Sequence, residues 1–274
     1  MHQVNSDHAN AARPIRVMTF NVRYDTREDG THDWLHRRGD VFEIIRAHNP
    51  DLISLQEPDA SQWADLVAQL YGYSPFGLFD DGSGNPEAHG GFFRASRFDA
   101  HSQGIFWLSD TPSIPHSVTW ENDWEPRACG WIRLHDRIKD RELVFASVHF
   151  DTNINAWLPS AVTLRRELDG VATNTAVIVA GDFNCPAGSE AHKYLVADGA
   201  FRDAWYETGK SDAGVLTFHG FTARHKLTTH ENERIDWILG RGELRCLDVR
   251  IDYSSRSGKP ASDHYPVIAM WDWC

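Results

Sequence analysis

The sequence predicts an α/β fold in which two similar layers pack face to face, and two observations support this prediction. In the first part of the chain a strand that ends in Asn21, a helix, and a strand that ends in Glu57 follow one another. Later, a strand that ends in His149, a helix, and a strand that ends in Asp182 repeat this order. Ligands of α/β sheets bind beyond the carboxyl ends of the strands, where these polar residues lie. Packing the two layers face to face would therefore bring the polar strand ends together.

Hydrophobic periodicity predicts the elements of the first half. Apolar runs favour strands at residues 15–22 and 51–56, and apolar residues at helical spacing favour helices at residues 40–47 and 59–70. Residues 80–91, DDGSGNPEAHGG, have the composition of a flexible loop. Weaker patterns predict three further strands, at residues 90–94, 105–108 and 116–119.

The second half is predicted in the same way. A charged turn separates strands at residues 127–134 and 143–150, which favours an antiparallel pair. Residues 176–184, AVIVAGDFN, form a buried strand that runs into a polar turn. The remaining predicted elements are helices at residues 159–171 and 189–197 and strands at residues 234–239, 244–251 and 266–271.

The composition is that of a globular protein, with 274 residues of which 41% are hydrophobic. The formal net charge is −12. A nucleic-acid duplex meets an unfavourable field at such a protein unless a basic patch or bound cations offset the charge. The charge therefore argues against a dedicated DNA-binding protein and for bound divalent metal.

The cysteines and the first residues bear on the cellular compartment. The four cysteines stand far apart without any C-x-x-C pair, at positions Cys129, Cys185, Cys246 and Cys274. This spacing favours free thiols in a reducing compartment. Residues 1–14 lack the apolar segment of a signal peptide, and no later apolar run has the length of a membrane span. We therefore expect a cytoplasmic protein with no transmembrane segment, a frayed tail at residues 1–14 and one domain at residues 15–274.

Polar side chains follow the predicted strands at many points. They are Asn21, Glu57, His149, Asp182, Asn184, Asp236, Asp263 and His264. Carboxylate and amide oxygens suit a hard cation such as Mg²⁺ or Mn²⁺, which takes few protein carboxylates and keeps waters for a phosphate. In-line attack on phosphorus also requires a group that orients or deprotonates a water and positive charge that meets the equatorial oxygens. Acids, amides and histidines together supply these functions.

Each of these residues also has an ordinary structural explanation. Asp182 and Asn184 would cap the turn after their strand, and Glu57 would be a helix N-terminal acid favoured by the helix dipole. Asp236 lies in an apolar strand, where a carboxylate is costly unless it is paired or functional. Arg234, on the same strand face, is its structural partner in that case. The joint occurrence of these residues favours a site.

Six short segments indicate a family. They are TFN at 19–21, LQE at 55–57, VHFD at 148–151, GDFN at 181–184, RIDWI at 234–238 and SDHYP at 262–266. In this order they resemble the signature motifs of the endonuclease/exonuclease/phosphatase superfamily, over nearly the whole chain from residue 15. The resemblance implies a four-layer α/β/β/α sandwich of two packed mixed sheets flanked by helices. It also implies cleavage of a phosphoester that depends on one or two Mg²⁺ or Mn²⁺ ions.

The resemblance further implies roles for the matching residues. Glu57 is the principal metal ligand, and Asn21 and Asp263 contribute directly or through water. Asp182 orients or deprotonates the attacking water, and Asn184 holds the phosphate or that water.

The two histidines have implied roles of their own. His264 binds the scissile phosphate and stabilises its developing charge, and Asp236 orients this histidine. His149 is a second phosphate contact or the acid that protonates the leaving group. A second cation that engages Asp182, Asn184 or His264 remains an alternative.

Further segments are similar to a bacterial branch of the superfamily whose substrates are mostly unassigned. On this basis Arg38, Arg127 and His219 are expected in the substrate cleft, with surface or packing roles as the alternatives. The chain departs from the branch after VHFD, where Thr152, Asn153 and the segment AWLPSA stand in place of a histidine and of an arginine on the next helix. It also has EAHGG, at residues 87–91, where an acid and an apolar strand are usual.

We expect a hydrolase that cleaves a phosphodiester by attack of an activated water, on a small or lipid-like substrate or on a nucleic-acid strand end. The alternatives are a phosphomonoesterase of sugar or inositol phosphates and a metal-dependent nuclease. A catalytically silent binding module is the least favoured alternative, because such a protein is expected to lose a metal or histidine position and this chain retains all of them.

Overall fold

The computed structural model describes residues 13–78, 87–122, 125–221, 233–255 and 258–274. Over these residues the chain forms two six-stranded mixed sheets that pack against each other, with helices on the outer faces. The strands are β1 (Ile15–Asn21), β2 (Leu52–Gln56), β3 (Tyr73–Leu78), β4 (His89–Arg94), β5 (Phe98–Trp107), β6 (Ala128–Asp136), β7 (Arg141–His149), β8 (Ala176–Asp182), β9 (Arg202–Asp203), β10 (Asp236–Arg241), β11 (Leu244–Ile251) and β12 (Val267–Trp273). The α-helices are α1 (Trp34–His48), α2 (Ala60–Gln69), α3 (Ile154–Val171), α4 (Glu190–Val196) and α5 (Ala204–Glu207).

The first sheet has the strand order β11–β12–β1–β2–β4–β3. Its central pair, β1 and β2, is parallel, and α1 makes the crossover between the two strands. The parallel register sets Asn21 opposite Gln56, so that Glu57 follows directly at the same sheet edge. The first polar residues of the predicted site are therefore neighbours because of strand pairing.

The second sheet has the order β5–β6–β7–β8–β10–β9. Its parallel pair is β7 and β8, joined by α3, and the register sets His149 opposite Asp182. The antiparallel strand β10 then sets Asp236 opposite Asp182 on the other side. Gly181 allows this close ladder, because a Cβ at that position would lie 2.0 Å from the carbonyl oxygen of Val148.

Three hydrophobic clusters account for the four layers. One cluster fills the space between the sheets and includes Val17, Phe145 and Trp271. A second packs α1 and α2 on the first sheet, and a third packs α3 and α4 on the second sheet. Burial of these apolar faces supplies the main stabilisation of the fold. The predicted four-layer α/β/β/α sandwich is confirmed.

Most predicted elements are present, with boundaries set by capping side chains. The helix predicted at residues 40–47 begins at Trp34, because Asp33 accepts a hydrogen bond from the backbone N–H of His36. The helix predicted at residues 159–171 begins at Ile154, because Asn153 caps it. The antiparallel pairing of β6 with β7 is confirmed.

Other predictions were wrong. Residues 116–119 form no strand, because turns at Ile114 and Ser117 and a left-handed φ of 57° at His116 break the extended backbone. Strand β3 was not predicted, and the strand predicted at residues 234–239 begins only at Asp236.

Some predictions fall partly outside the described residues. These are the tail, of which residues 1–12 are not described, and the loop at residues 80–91, of which residues 80–86 are not described. Arg13 and Pro14 belong to the folded part, since their carbonyl oxygens accept hydrogen bonds from Arg97 at 3.2 and 2.8 Å. The four cysteines are free thiols, as predicted. Among the described helices, none combines the length and apolar character that crossing a membrane requires.

Candidate active site

The first sheet contributes an amide and a carboxylate that lie side by side. Asn21 is fully buried, and its Nδ2 donates to Glu57 Oε1 at 2.8 Å and to Asp182 Oδ2 at 3.0 Å. Glu57 lies one residue beyond β2 in left-handed backbone, with a φ of 67°. Its Oε2 accepts a hydrogen bond from the backbone N–H of Tyr24 at 3.2 Å. The hydrogen bond from Asn21 to Asp182 joins the ends of the two sheets.

Asp182 lies between two histidines, His149 at the end of β7 in the second sheet and His264 just before β12 in the first sheet. Its Oδ2 is 3.6 Å from His264 Nε2 and 3.7 Å from His149 Nε2, and the side chain is 1% exposed. Its Oδ1 accepts a hydrogen bond from the backbone N–H of Asn184 at 2.8 Å. Burial and the charge of Asp236 raise the pKa of Asp182, although both histidines oppose this rise. A carboxylate with a raised pKa is suited to receive a proton.

His264 is paired with a buried acid. Its Nδ1 lies 3.0 Å from Oδ2 of Asp236, and both side chains are almost inaccessible to solvent. Burial disfavours the positive charge of His264, but Asp236 and Asp182 outweigh burial and raise its pKa to about 10. The imidazole is therefore cationic at neutral pH, with Nε2 directed at Asp182.

His149 is paired with an acid that the strand pattern did not predict. Its Nδ1 lies 2.7 Å from Oε1 of Glu87, and Arg127 Nη1 lies 3.0 Å from Oε2 of the same carboxylate. Burial alone would raise the pKa of Glu87, but His149 and Arg127 hold it well below its ordinary value. Burial and Arg127 disfavour charge on His149, whereas Glu87 and Asp182 outweigh them and raise its pKa.

Glu87 also connects the two sheets. Its Oε1 accepts a hydrogen bond of 3.0 Å from the backbone N–H of Glu57. The carboxylate that pairs with His149 on the second sheet thus fixes the backbone of a candidate metal ligand on the first.

Asp263 completes the carboxylates of the site. Its Oδ1 accepts a hydrogen bond from Ser262 Oγ at 3.2 Å, and the same hydroxyl lies 2.7 Å from the backbone oxygen of Asn21. Burial and the charge of Glu57 raise the pKa of Asp263 to about 6, with His264 and Arg23 opposing the rise. A buried acid in this state becomes more stable as an anion when a cation is bound next to it.

The donor set fits a hard divalent cation in two neighbouring places. The oxygens of Glu57 and Asp263 belong to the predicted ligand set, whereas Asn21 presents its amide nitrogen to the carboxylates and must rotate to offer its oxygen. Ligand atoms of Asp182, Asp236 and His264 all lie within 4.8 Å of one another. In addition, Asp236 Oδ1 is buried and has no hydrogen-bond partner among the described residues, as expected for an atom that binds a cation or water.

The three predicted substrate residues have different positions. Arg127 lies in the site, where its Nη1 is 2.9 Å from His149 Nδ1. The ring of His219 packs 4.4 Å from that of Tyr265, and the backbone N–H of His219 donates to the carbonyl oxygen of Asp263 at 2.8 Å. Burial and the charge of His264 lower the pKa of His219 to about 4.

Arg38 is not brought to the cluster: it forms an exposed ion pair of 3.0 Å with Asp65 on the outer helices. The adjacent Arg37 lies on the buried face of α1 instead and is 3% exposed.

The structural explanation offered for Asp236 was wrong. Arg234 does not bind Asp236 but donates to Asp203 at 2.8 Å and to Asp212 at 2.8 Å, because β10 begins after Arg234 and the two side chains diverge. Asp236 pairs with His264 instead.

Two residues of the site were missed by sequence reasoning. Glu87 was counted within a departure from the family pattern, yet it lies in the site, where its Oε1 is 2.7 Å from His149 Nδ1, and strand β4 begins two residues later at His89. Its signal was the acid two residues before the strand. The second residue is Arg23, which follows the TFN segment and was not predicted to belong to the site. Its Nη1 lies 3.8 Å from Glu57 Oε2. The hydrogen bond with Asp29 and the charges of Asp263 and Glu57 raise the pKa of Arg23, although burial opposes the rise.

Comparison with known proteins indicates the same family as the sequence motifs. Residues 18–264 match the model of the Endonuclease/Exonuclease/phosphatase family. The chain is 27% identical over 185 residues to the uncharacterized protein L388 of Acanthamoeba polyphaga mimivirus, covering 62% of this chain and 67% of that protein.

Two solved structures from Bacteroides are similar over almost their whole length. A protein of this family from Bacteroides vulgatus has a TM-score of 0.84 and 25% identity, covering 95% of this chain and 99% of its own. A mannosyl-6-phosphatase from Bacteroides thetaiotaomicron has a TM-score of 0.82 and 26% identity, covering 94% of this chain and 100% of its own. The motifs, the two-sheet sandwich and the family match over most of the chain agree, and the chain belongs to the endonuclease/exonuclease/phosphatase family.

Proposed function

We propose that this protein hydrolyses a phosphoester in a reaction that depends on a divalent cation, with water as the nucleophile. The arrangement around Asp182 carries the proposal. This carboxylate has a hydrogen bond to Asn21 at 3.0 Å and lies within 3.7 Å of the Nε2 atoms of both His149 and His264. A proton acceptor, the cationic His264, a second histidine and candidate metal ligands therefore converge at one point.

The charges of the site suit a phosphate together with a cation. The acids of the site are Glu57, Glu87, Asp182, Asp236 and Asp263, and the groups that oppose them are His149, His264, Arg23 and Arg127. When bound, Mg²⁺ or Mn²⁺ at Glu57 and Asp263 would supply Lewis acidity and orient the phosphoryl group. This arrangement can accept an anionic substrate despite the net charge of −12.

Each side chain of the site then has a role in the proposed reaction. Asp182 orients the water and receives its proton, which its raised pKa favours. His264, held by Asp236, donates from Nε2 to a phosphoryl oxygen and stabilises the developing charge. His149, held by Glu87, contacts the phosphate or protonates the leaving group, and Asn184 holds the phosphate or the water.

The substrate class has two candidates. The proposed reaction includes cleavage of a phosphodiester, as the sequence led us to expect. The similarity to a mannosyl-6-phosphatase at 26% identity favours the second candidate, a phosphomonoester of a sugar. A metal-dependent nuclease is less favoured, because the chain lacks the excess of positive charge that gripping a duplex requires.

A panel of substrates tests the proposal. Purified protein with Mg²⁺ or Mn²⁺ would be assayed on bis-p-nitrophenyl phosphate, p-nitrophenyl phosphate, mannose 6-phosphate and single-stranded DNA, each with and without EDTA. We expect hydrolysis that EDTA abolishes and that Asp182→Asn abolishes, whereas Arg38→Ala, at an exposed pair outside the site, retains wild-type activity. Turnover that survives EDTA, or equal turnover by Asp182→Asn, would contradict the proposal, and the ratio of diester to monoester rates decides between the two substrate classes.

A further inference from the structure

An arginine with a strained backbone lies next to the candidate metal ligands. Arg23 is the second residue after β1, and its φ of 56° lies in the left-handed region. A residue with a Cβ pays a conformational cost there and keeps the conformation only when its surroundings enforce it. Such positions are concentrated at functional sites, so the contacts that enforce this one are informative.

Buried donors hold the backbone of Arg23 in place. Its carbonyl oxygen accepts hydrogen bonds from Nη2 of Arg37 and from Nε2 of Gln62, the latter at 2.7 Å. Its N–H donates to Asn21 Oδ1 at 3.0 Å. Arg37 is only 3% exposed and also donates to the carbonyl of Ala261 at 3.2 Å, which precedes the Ser262–Asp263 loop. The strained backbone is therefore tied to the segments that carry two candidate ligands.

The side chain of Arg23 is also oriented. Asp29 accepts hydrogen bonds from its Nε at 3.0 Å and its Nη2 at 3.2 Å, and the guanidinium lies 4.2 Å from the centre of the Tyr24 ring. The remaining nitrogen, Nη1, lies 3.8 Å from Glu57 Oε2, and Nε lies 3.8 Å from Asp263 Oδ2. The side chain is 24% exposed.

We propose that Arg23 is a substrate-binding residue that contacts the phosphate oxygens of the substrate beside the metal ligands. This inference rests on the proposed function, because it assigns a phosphate contact within the same site. A planar guanidinium held by a carboxylate loses little freedom when it forms further hydrogen bonds, and it matches the geometry of a phosphate.

The start of helix α3 strengthens the assignment. The resemblance to the bacterial branch predicts a histidine after VHFD and an arginine on the helix that follows, and this chain has Thr152, Asn153 and the segment AWLPSA in their place. Asn153 Nδ2 donates to the carbonyl oxygen of Glu121 at 2.6 Å, and Asn155 Nδ2 donates to Glu121 Oε2 at 3.2 Å. The first turn of α3 thus binds a loop and supplies no positively charged side chain. Arg23 supplies a positive charge from the opposite sheet.

Two other roles would explain the same contacts. Arg23 would be a counter-ion that offsets the charges of Glu57 and Asp263, in which case its removal alters metal affinity but not phosphate affinity. Alternatively its ion pair with Asp29 would only fix the loop, in which case its removal lowers stability. The variant Arg23→Asn separates these roles, because asparagine tolerates left-handed backbone and removes the charge.

The test measures binding of inorganic phosphate by calorimetry, with and without Mn²⁺, in wild type, Arg23→Asn and the matched control Arg38→Asn. We expect phosphate to bind Arg23→Asn about tenfold or more weakly, as expected for a lost charge-assisted hydrogen bond, while Arg38→Asn equals wild type. The melting temperature of Arg23→Asn should not fall, and its Mn²⁺ affinity should stay within about twofold of wild type. KM for the best substrate should rise in step with the phosphate dissociation constant.

Phosphate affinity that is unchanged in Arg23→Asn, or no measurable phosphate binding by wild type, overturns the inference. A change confined to Mn²⁺ affinity identifies a counter-ion, and a change confined to melting temperature identifies a structural contact; either overturns it as well. Failure of the proposed function is recognised separately, because it appears as absence of turnover by wild type across the substrate panel.

Discussion

The two sheets hold their functional side chains in different ways. In the second sheet His149, Asp182 and Asp236 stand opposite one another on three neighbouring strands, so the backbone ladder itself sets their spacing. In the first sheet Asn21 ends β1, Glu57 extends beyond β2 on left-handed backbone, and the SDHYP segment precedes β12. Under the proposed function, the second sheet holds the proton acceptor on its strand ladder, and the first sheet holds oxygen ligands and a cationic histidine in segments next to its strands.

This comparison predicts different losses from the candidate metal ligands and from the groups around Asp182. Glu57→Ala and His264→Ala should each lower kcat/KM by about a thousandfold or more, since each removes a direct contact with the metal or the developing charge. Only Glu57→Ala should also abolish Mn²⁺ binding measured by calorimetry, because His264 lies beside the proton acceptor. Arg38→Ala serves as the folded, active control, and equal loss of Mn²⁺ affinity in both variants would remove this distinction.

A smaller effect is expected from the acid that holds His264. Asp236→Asn should lower kcat by about a hundredfold, the loss typical of groups that orient a reacting side chain. The pKa of His264, raised to about 10, should fall toward its ordinary value of 6.5, because the main cause of the rise is removed.

The same shift has a consequence for stability. The charge of His264 stabilises the wild-type fold fully below pH 6.5, and this stabilisation is lost as the pH rises through about 10. In Asp236→Asn this stabilisation should be lost at lower pH. Thermal melts from pH 6 to 10 measure the stability, and an NMR titration of the His264 imidazole measures its charge. An unchanged titration of His264 would show that Asp236 does not set its charge.

The first sheet should show its own pH dependence. The pKa of Asp263 is raised to about 6, and a protonated carboxyl is a poor ligand, so Mn²⁺ affinity should fall about tenfold between pH 7.5 and pH 5. In Asp263→Asn this dependence should be weaker, with low affinity at both pH values. Calorimetry at the two pH values measures the effect, and an equal fall in wild type and variant would assign the titration to another group.

The sequence allowed the second sheet to be predicted better than the first. His149 and Asp182 end strands with continuous buried runs that are mostly apolar, and such a run that stops at a polar residue is a local signal. Glu87, Arg23 and the inward turn of Arg37 depend on loops and a helix face, where pairing is decided by contacts distant in sequence. Arg38 was chosen in place of Arg37 because two adjacent arginines look alike until the helix orientation is known.

The smallest predicted effect tests Glu87, a carboxylate that contacts residues of both sheets. Glu87→Gln keeps an oxygen that can accept the N–H of Glu57 but removes a charge that raises the pKa of His149. We expect kcat to fall about tenfold or less and the pKa of His149 to fall, with Mn²⁺ affinity unchanged. Glu87→Ala removes the hydrogen bond as well and should weaken Mn²⁺ binding, since the strained backbone of Glu57 loses a contact that holds it. If both variants bound Mn²⁺ as wild type does, Glu87 would act on the histidine alone and the two sheets would be independent.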